Sequence, residues 1–232
     1  MIDFAPTFTF KCFAVDDRRC AMKVGTDGVL LGAWASVGSA HALRVADLGA
    51  GSGLIALMLA QRNPGAVVTA VEIDRDAFSD LEKNIAASPF ADRITAVEGD
   101  YRTVTGKFDL IVSNPPYFMP GAGAPDRSRC LAREAGDLSP FGLLDFAPGH
   151  LTGHGRLAMI APSDYDGEIE YRAALAHLNV CRRAAVATSP RRGVTRTLWE
   201  FASAPAPLPE IESITVGSEH YRSLTSPFYL NF

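Results

Sequence analysis

Residues 43–53 read Leu-Arg-Val-Ala-Asp-Leu-Gly-Ala-Gly-Ser-Gly, and this stretch decides the fold. The six residues 43–48 are apolar enough for a strand buried on both faces. Three alternating glycines then let the backbone turn tightly and approach a ligand closely. From Leu54 to Arg62 the apolar positions recur at helical spacing, so a helix begins with its free N–H groups aimed over the glycines.

Outward from that turn, the same alternation continues. Residues 66–73 predict a second strand, 75–88 a helix with Asp74 as its cap, and 93–98 a third strand. Residues 108–113 (FDLIVS) predict a fourth strand, stopped by Asn114-Pro115-Pro116. A helix from about Ser139, strand 156–161, helix 165–178 and strands 180–188 and 196–203 follow. Upstream, Thr26-Asp27-Gly28 precedes the apolar run 29–34 and predicts a capped helix. Strands alternating with helices imply an α/β fold, a mostly parallel sheet with helices on both faces. Ligands of such sheets sit beyond the C-terminal ends of the strands, near the point where strand order reverses. Residues 118–137, rich in Gly, Pro, Asp and Arg, predict an exposed loop. The aromatic tail (Tyr221, Phe228, Tyr229, Phe232) predicts an edge packed on the sheet.

The 232 residues are 47% hydrophobic and 21% charged, enough to bury one core. A formal net charge of −4 excludes a polybasic nucleic-acid binder, so any such surface is a local patch. Cys12, Cys20, Cys130 and Cys181 lack CxxC spacing, and the five histidines show no metal spacing; reduced thiols and no metal are expected. The N-terminus has no leader pattern and the longest apolar runs are too short to span a membrane, which predicts a soluble, cytoplasmic protein.

Glu72 ends the second strand 19 residues beyond Gly53, where an ionised carboxylate can accept from both hydroxyls of a ribose. A nicotinamide or flavin fingerprint would be GxGxxG, but Leu54 occupies its last glycine position. Asn114-Pro115-Pro116-Tyr117 is the most specific signal. Two prolines remove two N–H donors, so the Asn114 oxygen and the Pro115 carbonyl can accept both hydrogens of one amine. A ring-conjugated amine is a poor nucleophile, and two oriented acceptors stabilise it as it pyramidalises during attack. Tyr117 offers a flat face on which an extruded base can stack.

Taken with Phe8-Thr9-Phe10-Lys11, Lys23-Val24-Gly25-Thr26-Asp27-Gly28 and Phe228-Tyr229-Leu230, these motifs resemble the bacterial tRNA1(Val) adenine-37 N6-methyltransferases. The resemblance implies a Rossmann-like class I methyltransferase with a seven-stranded, mostly parallel sheet. It also implies S-adenosylmethionine as cofactor and N6-methyladenine in tRNA as product. By position, residues 1–35 would cover the cofactor and 36–232 would form the methyltransferase domain. Lys23, Gly25, Thr26 and Asp27 would lie over the methionine end, with Asp47, Gly49, Gly51 and Gly53 forming the cofactor loop. Glu72 would hold the ribose, Asp100 would contact the adenine, and Asn114, beside the cofactor, would be catalytic together with Pro115, Pro116 and Tyr117.

Between Cys181 and Leu198 stand Arg182, Arg183, Arg191, Arg192 and Arg196 without a carboxylate. With Lys11, Arg18, Arg19 and Lys23 they predict a phosphate-binding rim; Arg127, Arg129 and Arg133 are weaker candidates, being offset by nearby acids. A protein-glutamine N5-methyltransferase, or an rRNA or DNA amino-methyltransferase, would use the same Asn-Pro-Pro-Tyr logic. A non-catalytic scaffold would tend to lose one of the two motifs, and both are intact. No obligate partner is evident, and a monomer is expected.

Overall fold

The apolar runs separated by helices form one twisted sheet in a computed structural model, which describes residues 6–38, 42–116, 138–205 and 208–231. In chain order the elements begin with β1 (Phe8–Thr9), β2 (Ala14–Val15), α1 (Thr26–Trp34), β3 (Leu43–Leu48) and α2 (Leu54–Arg62). Then come β4 (Ala66–Glu72), α3 (Arg75–Ala87), β5 (Ile94–Glu98), β6 (Phe108–Ser113) and α4 (Pro140–His150). The last are β7 (Leu151–Pro162), α5 (Asp166–Leu175), β8 (Asn179–Ala187), β9 (Val194–Ala202), β10 (Glu210–Thr215) and α6 (Glu219–Thr225).

The main sheet has the order β10-β8-β9-β7-β6-β3-β4-β5. Only β9 runs antiparallel to its neighbours, β7 and β8. The chain builds from β3 out to β5 and then returns to lay β6 on the other side of β3. Strand order therefore reverses at β3 and β6, and a crevice opens above their C-terminal ends.

The sheet has eight strands where seven were expected. The additional strand, β10, is mostly polar and exposed: Ile211 is 73% exposed and only Ile214 is fully buried. An edge strand half in solvent lacks the continuous apolar run that marks the central strands. The tail meets both the sheet edge and the β1–β2 hairpin: α6, which carries Tyr221, contacts the edge strand β10, while Phe228 and Tyr229 reach the hairpin. Phe228 is buried, and the Tyr229 ring lies 5.9 Å from that of Phe10. Phe232 lies outside the described residues.

Alternation along the strands separates two cores. Val45, Leu110, Val112, Ala158 and Leu198 face α1 and α2, while Ala46, Leu48, Ile111, Met159 and Trp199 face α4 and α5. Helix α1 starts at Thr26 itself, with Gly25 at the cap and no side-chain cap bond. Asp74 does cap α3, accepting from the Ala77 N–H at 2.8 Å, and Ser139 caps α4.

The irregular segment between β2 and α1 is held by buried side chains, because irregular backbone away from water must find its partners elsewhere. Asn84 of α3 accepts from the Asp16 N–H and donates to the carbonyls of Asp16 and Ser52, each at 2.8 Å. Asp17 accepts from Val24 N–H at 2.7 Å, and Asp80 from Arg19 N–H at 2.7 Å. Asn84→Ala leaves three backbone groups in this buried network without partners. It should cost about 2–4 kcal/mol of unfolding free energy, read from urea denaturation.

Candidate active site

Four strand ends meet at the crevice. The β3 turn holds Gly49, Gly51 and Gly53 at φ of +70°, +55° and +82°. A Cβ at Gly49 would stand 2.2 Å from Leu138 Cδ2, so a side chain there collides as well as straining the backbone. At Gly51 a Cβ would meet nothing within 4 Å. That open space over a positive-φ turn at the start of α2 is the cradle a nucleotide-like cofactor requires.

Glu72 fixes the turn from the end of β4. One carboxylate oxygen accepts from Gly51 N–H at 2.8 Å and the other from Asp74 N–H at 2.8 Å. Each oxygen keeps lone-pair capacity for a ribose hydroxyl. Ile73, directly after it, is apolar and 68% exposed, presenting a bare hydrophobic face at the mouth of the crevice. An apolar residue directly beyond the strand-ending carboxylate is the signal in the sequence that marks Ile73.

Asp47 lies beneath the turn, fully buried. One oxygen accepts from Ala56 N–H at 3.0 Å, and the other has no partner among the described residues. Burial pushes its carboxyl up to about 7; the Ala56 N–H opposes this and the charge of Glu72 adds to it. Asp100 follows β5 and is engaged by Arg102, whose Nε lies 3.0 Å from each carboxylate oxygen and whose Nη2 also bonds it. Hydrogen bonding from Arg102 holds the Asp100 carboxyl below its ordinary range.

At the end of β6, Ser113 donates to the Leu48 carbonyl at 2.6 Å and so locks β6 to β3 where the crevice opens. Asn114 comes next. Its carboxamide oxygen is buried and has no hydrogen-bond partner among the described residues. Pro115 is buried and Pro116 exposed, while Tyr117 lies outside the described residues, as do Arg127, Arg129 and Arg133. Helix α1 forms the wall beside Asn114, since a Cβ at Gly28 would stand 4.0 Å from Asn114 Nδ2 and 3.1 Å from Leu54 Cδ2.

Lys23, Gly25 and Thr26 are exposed just before and at the start of α1, with Asp27 half-buried behind them. Lys23 Nζ donates to the carbonyls of Asp17 and Arg18, at 2.7 and 2.9 Å. Most of the basic residues have partners within the protein. Lys11 donates to the Ser226 carbonyl and Arg18 pairs with Asp16, while Arg19 reaches Ser79 and Asp80. Arg182 pairs with Glu212, Arg183 with Glu170 and Arg196 with Asp27. Arg191 and Arg192 are exposed in the turn between β8 and β9, on the strand-end side that carries Asn114, and have no ion pair among the described residues.

The family model described as Methyltransferase small domain matches residues 29–184. A tRNA1(Val) (adenine(37)-N6)-methyltransferase from Aeromonas hydrophila is 43% identical over 96% of this chain and 97% of its own. A protein of the same description from Bacteroides thetaiotaomicron is 41% identical over 97% of this chain and 98% of its own. Among solved structures, one described as a predicted O-methyltransferase from Agrobacterium tumefaciens is similar in fold, with a TM-score of 0.62 and 19% identity. It covers 87% of this chain and 96% of that one. A ribosomal protein L11 methylase from Lactobacillus delbrueckii shares the fold at a TM-score of 0.54 and 23% identity, covering 76% of this chain and 78% of that one.

The raised Asp47 carboxyl carries a sign. Its folded value of about 7 exceeds the ordinary 3.8, so the native state binds more protons between those values. Stability from this group is present at low pH and is lost as pH rises toward 7. Asp47→Asn removes the titration. The parent should therefore lose roughly 2–3 kcal/mol relative to that variant between pH 5 and pH 8, measured by denaturant unfolding at both pH values.

Proposed function

The chain belongs to the methyltransferase small domain family and, within it, to the tRNA1(Val) (adenine(37)-N6)-methyltransferases, and on that premise we propose that it methylates N6 of an adenine in tRNA, adenine 37 of tRNA1(Val). The observation that carries this reading is the buried, unpartnered Asn114 oxygen at the end of β6, beside the glycine cradle.

The turn over Gly49, Gly51 and Gly53, with Asp47 beneath it, would hold S-adenosylmethionine. Glu72 would take the ribose hydroxyls and Ile73 would pack against the adenine ring. Asp100, already oriented by Arg102, would accept from the adenine amine. Residues 1–35, with Lys23, Gly25, Thr26 and Asp27, would close over the methionine end. Bound there, S-adenosylmethionine supplies an electrophilic methyl group and departs as a neutral thioether.

The chain's own contribution is positioning and oriented dipoles. Asn114 Oδ1 and the Pro115 carbonyl accept the two hydrogens of the target amine, drawing its lone pair out of the ring as the nitrogen pyramidalises. Pro115 and Pro116 hold that turn stiff, so the acceptors do not reorganise during the reaction. Tyr117, outside the described residues, would supply the flat face for the extruded base by resemblance to the family motif. Deprotonation of the product needs no strong base, because its nitrogen is cationic; the proton passes to water, directly or through the Asn114 carboxamide. Arg191 and Arg192 contact tRNA phosphates beside the crevice. We place the protein in the cytoplasm as a monomer; among the described residues no helix is long and apolar enough to cross a membrane.

Asn114→Ala should lower methyl transfer by at least about a hundredfold while leaving cofactor binding within about twofold. The assay is transfer from labelled S-adenosylmethionine to unmodified tRNA, with nucleoside analysis. N6-methyladenosine in one tRNA is the expected product; label in no RNA, with cofactor still bound, would refute the tRNA reading. Replacing Arg191 and Arg192 together by Ala should flatten the slope of log affinity for tRNA against log salt by about 2. An unchanged slope in a filter-binding titration would remove both residues from the interface.

A further inference from the structure

Helix α1 runs along the sheet from the crevice to the opposite edge, and its two ends are held differently. At the far end Arg62 donates to the carbonyls of Gly32 and Ala35, at 2.9 and 2.6 Å. There Arg182 donates to the Trp34 carbonyl at 2.8 Å, its guanidinium 4.1 Å from the Trp34 ring, and Glu200 accepts from Ser36. At the crevice end Arg196 Nε meets Asp27 Oδ2 at 3.0 Å. The next residue, Gly28, is the point at which α1 abuts Asn114 and Leu54.

Register places Arg196 at the right height and on the right face. It stands opposite Pro162 of β7, three residues beyond Met159, which pairs with Ser113. That is roughly 10 Å past the end of β6, at the level of the crevice. It shares the parity of Leu198, whose side chain lies in the core beneath α1 and α2. Both partners are partly shielded, with side chains 21% and 28% exposed. An ion pair this accessible contributes little to global stability; what it does is join the first turn of α1 to β9. The Asn114 oxygen accepts no hydrogen bond from the described residues, and α1 packs against the other side of the carboxamide, a Cβ at Gly28 lying 4.0 Å from Asn114 Nδ2.

We propose that Arg196 is a positioning residue: through Asp27 it holds the first turn of α1 against Asn114 and so fixes the acceptor oxygen for the target amine. The proposal rests on the methyl-transfer reading above and departs from a phosphate-contact role for Arg196. Losing the tie lets the acceptor wander by a fraction of an ångström to an ångström, which is felt in the chemical step.

The test is single-turnover methyl transfer at saturating S-adenosylmethionine and tRNA, with tRNA affinity measured separately. Arg196→Gln and Asp27→Asn should each slow the step by about tenfold to a hundredfold, with tRNA affinity of Arg196→Gln within twofold of the parent. The double variant should be no slower than the slower single, because both remove one interaction. Arg196→Lys should recover most of the rate. An unchanged single-turnover rate overturns the proposal, and so does weaker tRNA binding at an unchanged rate. Hydrogen exchange of the first-turn amides of α1 separates this from the functional reading. Faster exchange in Arg196→Gln supports the tie even if no RNA is methylated, and unchanged exchange refutes it even in an active enzyme.

Discussion

The grip of Glu72 on the glycine turn is the interaction on which the site depends. Both of its oxygens are committed to backbone N–H groups, those of Gly51 and Asp74, and so one side chain joins the turn after β3 to the turn after β4. A backbone that passes through three glycines at positive φ can visit many conformations at similar cost. The Gly49 and Ala50 N–H groups on the Val71 carbonyl, the Gly53 N–H on the Ala50 carbonyl and the grip of Glu72 together select one of them. The turn is stiffened further from below by the Asp47 oxygen on Ala56 N–H, and from the side by Asn84 on the Ser52 carbonyl. Burial is what moves the Asp47 carboxyl upward, opposed by the Ala56 N–H and helped to a lesser extent by the charge of Glu72.

The N-terminal segment obeys a related constraint. Between β2 and α1 the chain is neither helix nor strand, yet Asp16 and Asp17 are buried. Its backbone donors cannot use a ladder, so Asp17, Asp80 and Asn84 serve as the acceptors. These side chains place the segment across α3 and the glycine turn and deliver Lys23 to Asp27 to the rim of the crevice. Polar burial thus shapes the entrance, while apolar burial on the two sheet faces fixes the strand ends.

Much of this was legible because the rules involved are local. The glycine turn, Glu72 at a strand end, the Asp74 cap and the prolines after β6 each follow from a few adjacent residues, and the parallel sheet follows from their order. What escaped was long-range or half-exposed. β10 has a pattern too polar to signal a strand, and Ile73 stood unremarked beside a more conspicuous carboxylate. The arginine stretch illustrates the limit. An absence of acids along the chain says nothing about acids across space, and Glu170, Glu212 and Asp27 each supply a partner. One step could still have been read from strand parity: Arg182 and Arg183 are neighbours in a strand and must point to opposite faces. They do, one over Trp34 and the other over Trp199.

The same geometry resolves how a chain of net charge −4 can approach a polyanion. Summed charge acts weakly beyond a Debye length of about 8 Å at physiological salt, so the local distribution at the crevice decides the encounter. β8 runs parallel to the strands that build the site and β9 runs back, so the turn joining them must emerge on the strand-end side. Arginines within the strands are consumed by the scaffold. Those in the turn, Arg191 and Arg192, are left to solvent on the strand-end side of the sheet. Sheet polarity, not the length of the basic run, sorts the structural arginines from those free to meet a phosphate.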